Sequence, residues 1–324
     1  MNTAKPRACI DFLITQKCNY RCEYCSQSKK FYKNTHSADD KTIDAFLKFI
    51  KKLDKNFEIT ISGGEPLVHP RFYEVIEEIK KCGLKLTVIS NFSFPIENYK
   101  KIVDIMEGNL IELFVSYHDS QVSDFEEFLI KVKEFNNYRK DGTKFSVASV
   151  LSDKNVSKLK KLSEFLAEFP DDKKVNFCLQ HMRIKNSYVE YGAEASEFLK
   201  QKAKPEAGRV LNTFGKMCHS GEKFLLIYEN GDAYRCYSSR FNKAHSLGNI
   251  KDKNFKLLKG PMPCMNLKCT CPKPVSYNML DLEHSDYFRA GGCLIKNVIF
   301  LPGLIIKNFD ILKAKFEQGA WFKK

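Results

Sequence analysis

The sequence predicts an α/β protein: a partial (β/α)6 barrel of the TIM type with a small cysteine-rich C-terminal domain. Three observations lead there. Apolar runs of strand length alternate six times with segments whose apolar residues recur every three or four positions, the pattern of β/α units around a parallel sheet. That alternation ends by about residue 200, short of eight units, so the barrel stays open. From about residue 215 to 275 the composition shifts to Cys, Gly, Asn and Pro.

The strands are expected at ACIDFLI (8–14), FEITIS (57–62), LKLTVIS (84–90), IELFVSY (111–117), KFSVASVL (144–151) and KVNFCLQ (174–180). All are short and rich in Val, Ile and Phe. Between them lie DKTIDAFLKFIKKL, PRFYEVIEEIKKCG, PIENYKKIVDIME, SDFEEFLIKVKEFNNY and NVSKLKKLSEFLAEF, each with helical spacing of its apolar residues. The β/α core is assigned to residues 1–205, a cysteine-rich domain to 206–285 and an amphipathic helical segment to 286–324. In that last segment Ile305, Phe309, Leu312 and Phe316 share one helical face, which argues for packing onto the protein rather than contact with a membrane surface.

Composition narrows the function class. With 43% hydrophobic and 28% charged residues the chain is neither disordered nor fibrous. No signal-like start and no run of roughly 20 apolar residues is present, so a cytoplasmic location is expected. Twelve cysteines in a reducing compartment are better metal ligands than disulfides, above all where they cluster. The net charge of +14 favours anionic partners, but lysines scattered over every helical segment argue against nucleic acid.

CNYRCEYC places Cys18, Cys22 and Cys25 directly after the first strand. A structural zinc site closes with four ligands, and no fourth lies nearby in sequence. Three thiolates suit a [4Fe–4S] cluster with one iron left open. This CxxxCxxC loop, with Tyr24 before its third cysteine, resembles the signature of the radical S-adenosylmethionine (SAM) enzymes. The resemblance extends to GGEP (Gly63, Gly64, Glu65, Pro66), where the family receives the cofactor's amino group; the glycines admit close backbone approach and Glu65 or nearby carbonyls accept from an ammonium. Ser90 and Asn91 stand where relatives carry a Thr-Asn-Gly turn, with Phe92 in place of Gly. Ser116 and Ser149 are similar in place to polar cofactor-binding residues. The resemblance implies reductive cleavage of SAM to methionine and a 5′-deoxyadenosyl radical, which abstracts hydrogen from the substrate. A flavodoxin or ferredoxin is the implied electron donor.

Downstream, Cys218, then Gly231 followed by Cys236, then Cys264, Cys269 and Cys271 resemble the SPASM or shorter twitch extension of such enzymes. One auxiliary cluster held by Cys218, Cys236, Cys264 and either Cys271 or Cys269 is implied; a four-sulfur zinc site stays open as the alternative. A hairpin is expected where KFLLIYE and AYRCYS flank NGD. Cys293 is a candidate hydrogen-atom donor, and His118, Gln180, His181 and Arg183 are candidate substrate contacts at the barrel mouth.

The expected reaction is oxidation or epimerisation of a small or carrier-linked, anionic substrate. A peptide-modifying maturase is the alternative, disfavoured because the loop begins at residue 18 and leaves no room for a leader-binding domain ahead of it. A non-catalytic iron–sulfur electron-transfer or sensing protein is the second, disfavoured because CxxxCxxC and GGEP occur together.

Overall fold

The computed structural model describes residues 7–25, 35–184, 187–202, 211–238, 246–264, 266, 268–269, 277 and 279–280. Its first part is the expected alternation: β1 (Ala8–Thr15), α1 (Asp40–Ile50), β2 (Phe57–Gly63), α2 (Phe72–Lys81), β3 (Lys85–Ser90), α3 (Ile96–Met106), β4 (Leu110–Tyr117), α4 (Phe125–Tyr138), β5 (Lys144–Val150), α5 (Val156–Ala167) and β6 (Val175–Gln180). These six strands lie side by side in sequence order and all run parallel. Local chemistry sets the helix starts: the Asp39 carboxylate accepts from the Thr42 N–H, and Asp124 accepts from the Glu127 N–H.

Period-two alternation sorts each strand into two faces. On one, Ile10, Phe12, Ile59, Ile61, Leu86, Val88, Leu113, Val115, Phe145 and Val147 join the helices' Phe46, Ile76, Ile102 and Val132 in the main core. Residues between them face the barrel interior. A short ribbon of β7 (Arg183–Ile184) and β8 (Ser187–Tyr188) follows, then α6 (Ala193–Lys202).

The cysteine-rich part brings β9 (Leu211–Asn212), β10 (Met217–Cys218), β11 (Phe224–Ile227), β12 (Asp232–Tyr234), β13 (Ser246–Asn249), β14 (Met262–Pro263) and β15 (Lys268–Cys269). β11 and β12 form the hairpin around Gly231. Its placement is what the sequence does not announce. β11 pairs parallel with β1, Cys9 opposite Phe224 and Phe12 opposite Ile227, giving one nine-stranded sheet in the order β13-β12-β11-β1-β2-β3-β4-β5-β6. All eight residues of β1 are buried, and an edge of that character needs a partner for its backbone groups. A second apolar cluster forms on the inner face, where Cys9, Leu13, Phe224 and Leu226 meet Cys218, Met279 and Leu280.

Among the described residues no helix is long and apolar enough to cross a membrane. The segment 286–324, the boundary at 205/206, Cys271 and Cys293 lie outside the described residues.

Candidate active site and second thiol cluster

Six parallel strands deliver their carboxyl ends to one rim, and the three-cysteine loop is fastened across it. Gly64 donates its N–H to the Thr15 carbonyl at 2.7 Å and Glu65 donates to the Lys17 carbonyl at 2.8 Å. A Cβ on Gly64 would sit 2.2 Å from the Lys17 carbonyl oxygen, and one on Gly63 would sit 2.1 Å from that of Thr15. Gly63 also has φ +151°. The glycine pair therefore lets the backbone entering the cysteine loop pass against β2; protein backbone makes the close approach that was expected of a ligand.

Side chains from β3 and β4 hold the loop from the other flank. The Asn91 amide donates to Cys18 Sγ at 3.6 Å and to Asn19 Oδ1 at 2.8 Å, while Asn19 donates to Ser93 Oγ at 2.7 Å. The Tyr24 hydroxyl and His118 Nδ1 are 3.0 Å apart, their rings stack at 5.9 Å, and Tyr20 meets His118 edge-on at 5.8 Å. Burial lowers His118 to about 4, so its imidazole is neutral at pH 7. His118, expected as a substrate contact, braces the loop.

Cys22 is buried, Cys18 half-buried and Cys25 exposed. Burial pushes the Cys18 thiol up, and burial together with Cys25 and Cys18 pushes Cys22 up to about 12. Thiols so crowded resist ionising unless a positive group joins them. Among the described residues no three His, Cys, Asp or Glu side chains converge on a single-ion site. Three cysteines from one loop are a donor set that suits a cluster, in which each thiolate would bind a different iron.

Three further expectations are corrected, Glu65 by its hydrogen bonds and two serines by strand parity. Glu65 is fully buried; its carboxylate accepts from the Asn91 N–H (2.6 Å), the Ser90 hydroxyl (3.0 Å) and the Leu67 N–H (3.2 Å), which commits it to tying β2 to β3 rather than to an ammonium. Burial outweighs these donors and raises it to about 7. Ser90 shares the helix-side face of Leu86 and Val88 and contacts Glu65 and the Tyr99 hydroxyl. Ser149 shares the face of Phe145 and Val147 and donates to the Tyr117 carbonyl at 2.9 Å, away from the barrel interior. Ser116 alternates with Val115 and Tyr117 and does face inward.

Phe92 explains the missing glycine. Its φ is +59°, the left-handed conformation a glycine adopts freely, and its buried ring packs against Tyr99, Phe128, Phe135 and Phe145. Lys131 lies over that ring at 4.6 Å and donates to the Phe92 carbonyl at 2.7 Å. Core packing offsets the backbone strain.

Pro66 is buried as the first residue of the 3-10 turn Pro66–Val68. At the end of β6, Gln180 is exposed, whereas His181 bonds the Val189 carbonyl at 2.8 Å through Nε2 and stacks on Tyr188 at 4.4 Å. The His181 ring is thus occupied by the ribbon. Arg183 starts β7, and its side chain lies outside the described set.

The second cluster gathers Cys218, Cys236 and Cys264 from separate elements. Cys218 on β10 is opposite Met262 on β14, two residues before Cys264. Asn266 links two thiols: its amide lies 4.0 Å from Cys236 Sγ and its carbonyl 3.9 Å from Cys264 Sγ. Cys264 also donates to Thr213 Oγ1 at 3.3 Å. Cys269 is buried on β15, paired with β9 just ahead of Thr213. Sequence reading missed Arg235, a buried guanidinium beside these thiols.

Residues 12–118 match the family model of the Radical SAM superfamily. The chain is 24% identical over 271 residues to an uncharacterized protein, MJ0907, of Methanocaldococcus jannaschii, covering 74% of this chain and 88% of that one. It is 29% identical to the tungsten-containing aldehyde ferredoxin oxidoreductase cofactor-modifying protein of Pyrococcus furiosus, over 47% of this chain and 46% of that protein. A third relative, an S-adenosylmethionine-dependent nucleotide dehydratase of Selenomonas ruminantium, is 33% identical over 26% of this chain and 30% of its own length. The chain thus spans less than half of the two relatives with a named activity. Among solved structures, anSMEcpe with bound AdoMet is similar at TM-score 0.53 and 15% identity, covering 76% of this chain and 78% of that one. SuiB of Streptococcus suis bound to precursor peptide SuiA gives 0.54 and 15%, over 76% and 63%. These two likenesses establish the fold.

Proposed function

With residues 12–118 forming a radical SAM domain, we propose that this chain is an enzyme that binds SAM at a [4Fe–4S] cluster held by Cys18, Cys22 and Cys25 and takes a hydrogen atom from a small or carrier-linked, anionic substrate. One observation carries the reading: the three-thiol loop is built onto the GGEP backbone by two hydrogen bonds and two glycine contacts, so both halves of the signature form one object. Such a cluster with SAM on its open iron supplies a 5′-deoxyadenosyl radical after one-electron reduction.

The chain's own residues position and shield. Asn91 donates to Cys18 Sγ, stabilising the thiolate; Tyr24 and His118 fix the far side of the loop; Ser116 offers a hydroxyl toward the interior. Carbonyls of the Gly63–Pro66 stretch, rather than the Glu65 carboxylate, receive the cofactor's ammonium. Cys218, Cys236, Cys264 and Cys269 or Cys271 would hold a second cluster, which would supply a one-electron acceptor; that favours oxidation over epimerisation. The nucleotide dehydratase match covers only 26% of this chain, and it supports the initiating chemistry together with a nucleotide-linked substrate class. A flavodoxin or ferredoxin supplies the electron.

The test is anaerobic reconstitution, chemical reduction and assay of 5′-deoxyadenosine, with iron and sulfide counted alongside. About eight irons and release of 5′-deoxyadenosine are expected in the wild type, against about four irons and none released in the Cys18/Cys22/Cys25→Ala variant. A fully loaded, reduced wild type that leaves SAM intact would refute the enzyme reading.

A further inference from the structure

Arg235 is 6% exposed, on a short stretch that also carries Cys236. Its guanidinium donates to four backbone carbonyls: Ser220 at 2.8 Å, Met262 at 3.1 Å, Pro263 at 3.3 Å and Cys218 at 3.4 Å. Those bonds occupy four of its five N–H groups without balancing its charge. Among the described residues no carboxylate pairs with it; the ionisable groups that act on it are Cys218, Cys236 and Cys264. A buried guanidinium cannot shed its proton, so an uncompensated one is costly, and counter-charge has to come from these sulfurs.

The bonds also have a geometric effect. Through the carbonyls of Cys218 and Ser220 on one side and Met262 and Pro263 on the other, the guanidinium staples β10 to β14, fixing Cys218 relative to Cys264. Its planar fork is suited to that work in a way an ammonium is not. The first loop differs: among the described residues no buried cation acts on Cys18 or Cys22.

From this geometry we infer that Arg235 is the charge-balancing and positioning residue of the second thiol site, fixing its ligands in place and raising the reduction potential of the cluster they would bind. The inference rests on the proposed second cluster. An iron–sulfur cluster that accepts one electron gains one negative charge, and a fixed positive charge beside it stabilises the reduced form more than the oxidised one. Arg235 thereby makes the second cluster the better electron acceptor of the two.

Arg235→Gln and Arg235→Lys, reconstituted anaerobically in the full chain and titrated potentiometrically under electron paramagnetic resonance, separate charge from structure. Arg235→Gln with about eight irons is expected to shift the second cluster's reduction equilibrium at least tenfold toward the oxidised form, 59 mV for one electron, while the first cluster's signal stays put. Arg235→Lys, which keeps the charge, is expected to stay close to wild type. Equal potentials in all three loaded proteins would overturn the inference, leaving Arg235 a strand clamp. If Arg235→Gln fails to load the second site, loading of Arg235→Lys supports the inference, and failure of both overturns the role of charge. About four irons in the wild type would instead remove the second cluster itself, a failure of the underlying reading that the iron count alone reveals.

Discussion

The two thiol groups of this molecule are built in opposite ways. Cys18, Cys22 and Cys25 come from one short loop on the rim, with Cys25 exposed and neutral partners, Asn91, Tyr24 and His118, around them. Cys218 on β10, Cys236 just after β12 and Cys264 just after β14 come from separate elements, and the buried Arg235 guanidinium is bonded to the backbone that carries them. A loop clamped only at its flanks leaves one side open to a ligand. A set stapled from several strands closes the site and tunes its charge. Under the proposed function, the contrast teaches that what surrounds the sulfurs would make one set of thiolates a reaction site and the other a store for electrons.

The comparison can be broken most sharply at Gly64. Gly64→Ala places a Cβ 2.2 Å from the Lys17 carbonyl oxygen and must push the first loop off β2, while β10, β14 and Arg235 are untouched. Release of 5′-deoxyadenosine should fall by about a hundredfold, as misplacement of a reacting group by an ångström does, while iron at the second site remains. Loss of both clusters together would show that the two sites are one cooperative unit.

Phe92 sharpens the comparison by asking what the first site stands on. Phe92→Ala should cost about 3–5 kcal/mol of stability in a denaturant titration, from the lost ring among Tyr99, Phe128 and Phe145. Phe92→Gly should be the milder change by about 1 kcal/mol, the reverse of the usual order, because φ +59° strains alanine and suits glycine.

The smallest effect is expected at Glu65. Glu65→Gln turns amide hydrogens toward the donors Asn91 N–H, Ser90 Oγ and Leu67 N–H, and should cost about 1–3 kcal/mol. Its pH dependence follows from a carboxyl raised from 4.5 to about 7. Between those values the folded protein keeps a proton that the unfolded chain has released, so the stability this group contributes falls as pH rises. The gap in Tm between wild type and Glu65→Gln should therefore be wider at pH 5 than at pH 8.

Much of this was legible in the sequence. The six core strands fall within a residue or so of their expected ends, because Val, Ile and Phe runs bounded by turns leave little choice. The cysteine loop was legible because its spacing is local. Ser90 and Ser149 were misplaced although alternation with Leu86 and Val88, and with Phe145 and Val147, already put them on the helix side. The true occupation of Glu65 was hidden, since GGEP does not say where a carboxylate turns. Arg235 carried no signal, because a single arginine gains its meaning only from carbonyls supplied by distant residues. Nor did any turn encode the parallel pairing of β11 with β1, which joins strands from opposite ends of the described chain.

That last pairing bears on how the protein is made. During synthesis β1 emerges ahead of β2 and finds it within a few dozen residues, yet its other edge, buried along its whole length in the folded protein, has no partner until Phe224–Ile227 leaves the ribosome. For most of translation the nascent barrel therefore carries an open, sticky seam beside the loop that holds three thiols. Closure of that seam is a late, long-range event with a high entropic barrier. Expression at low temperature or with a holdase present is the condition under which the seam closes before neighbouring chains can zip onto it.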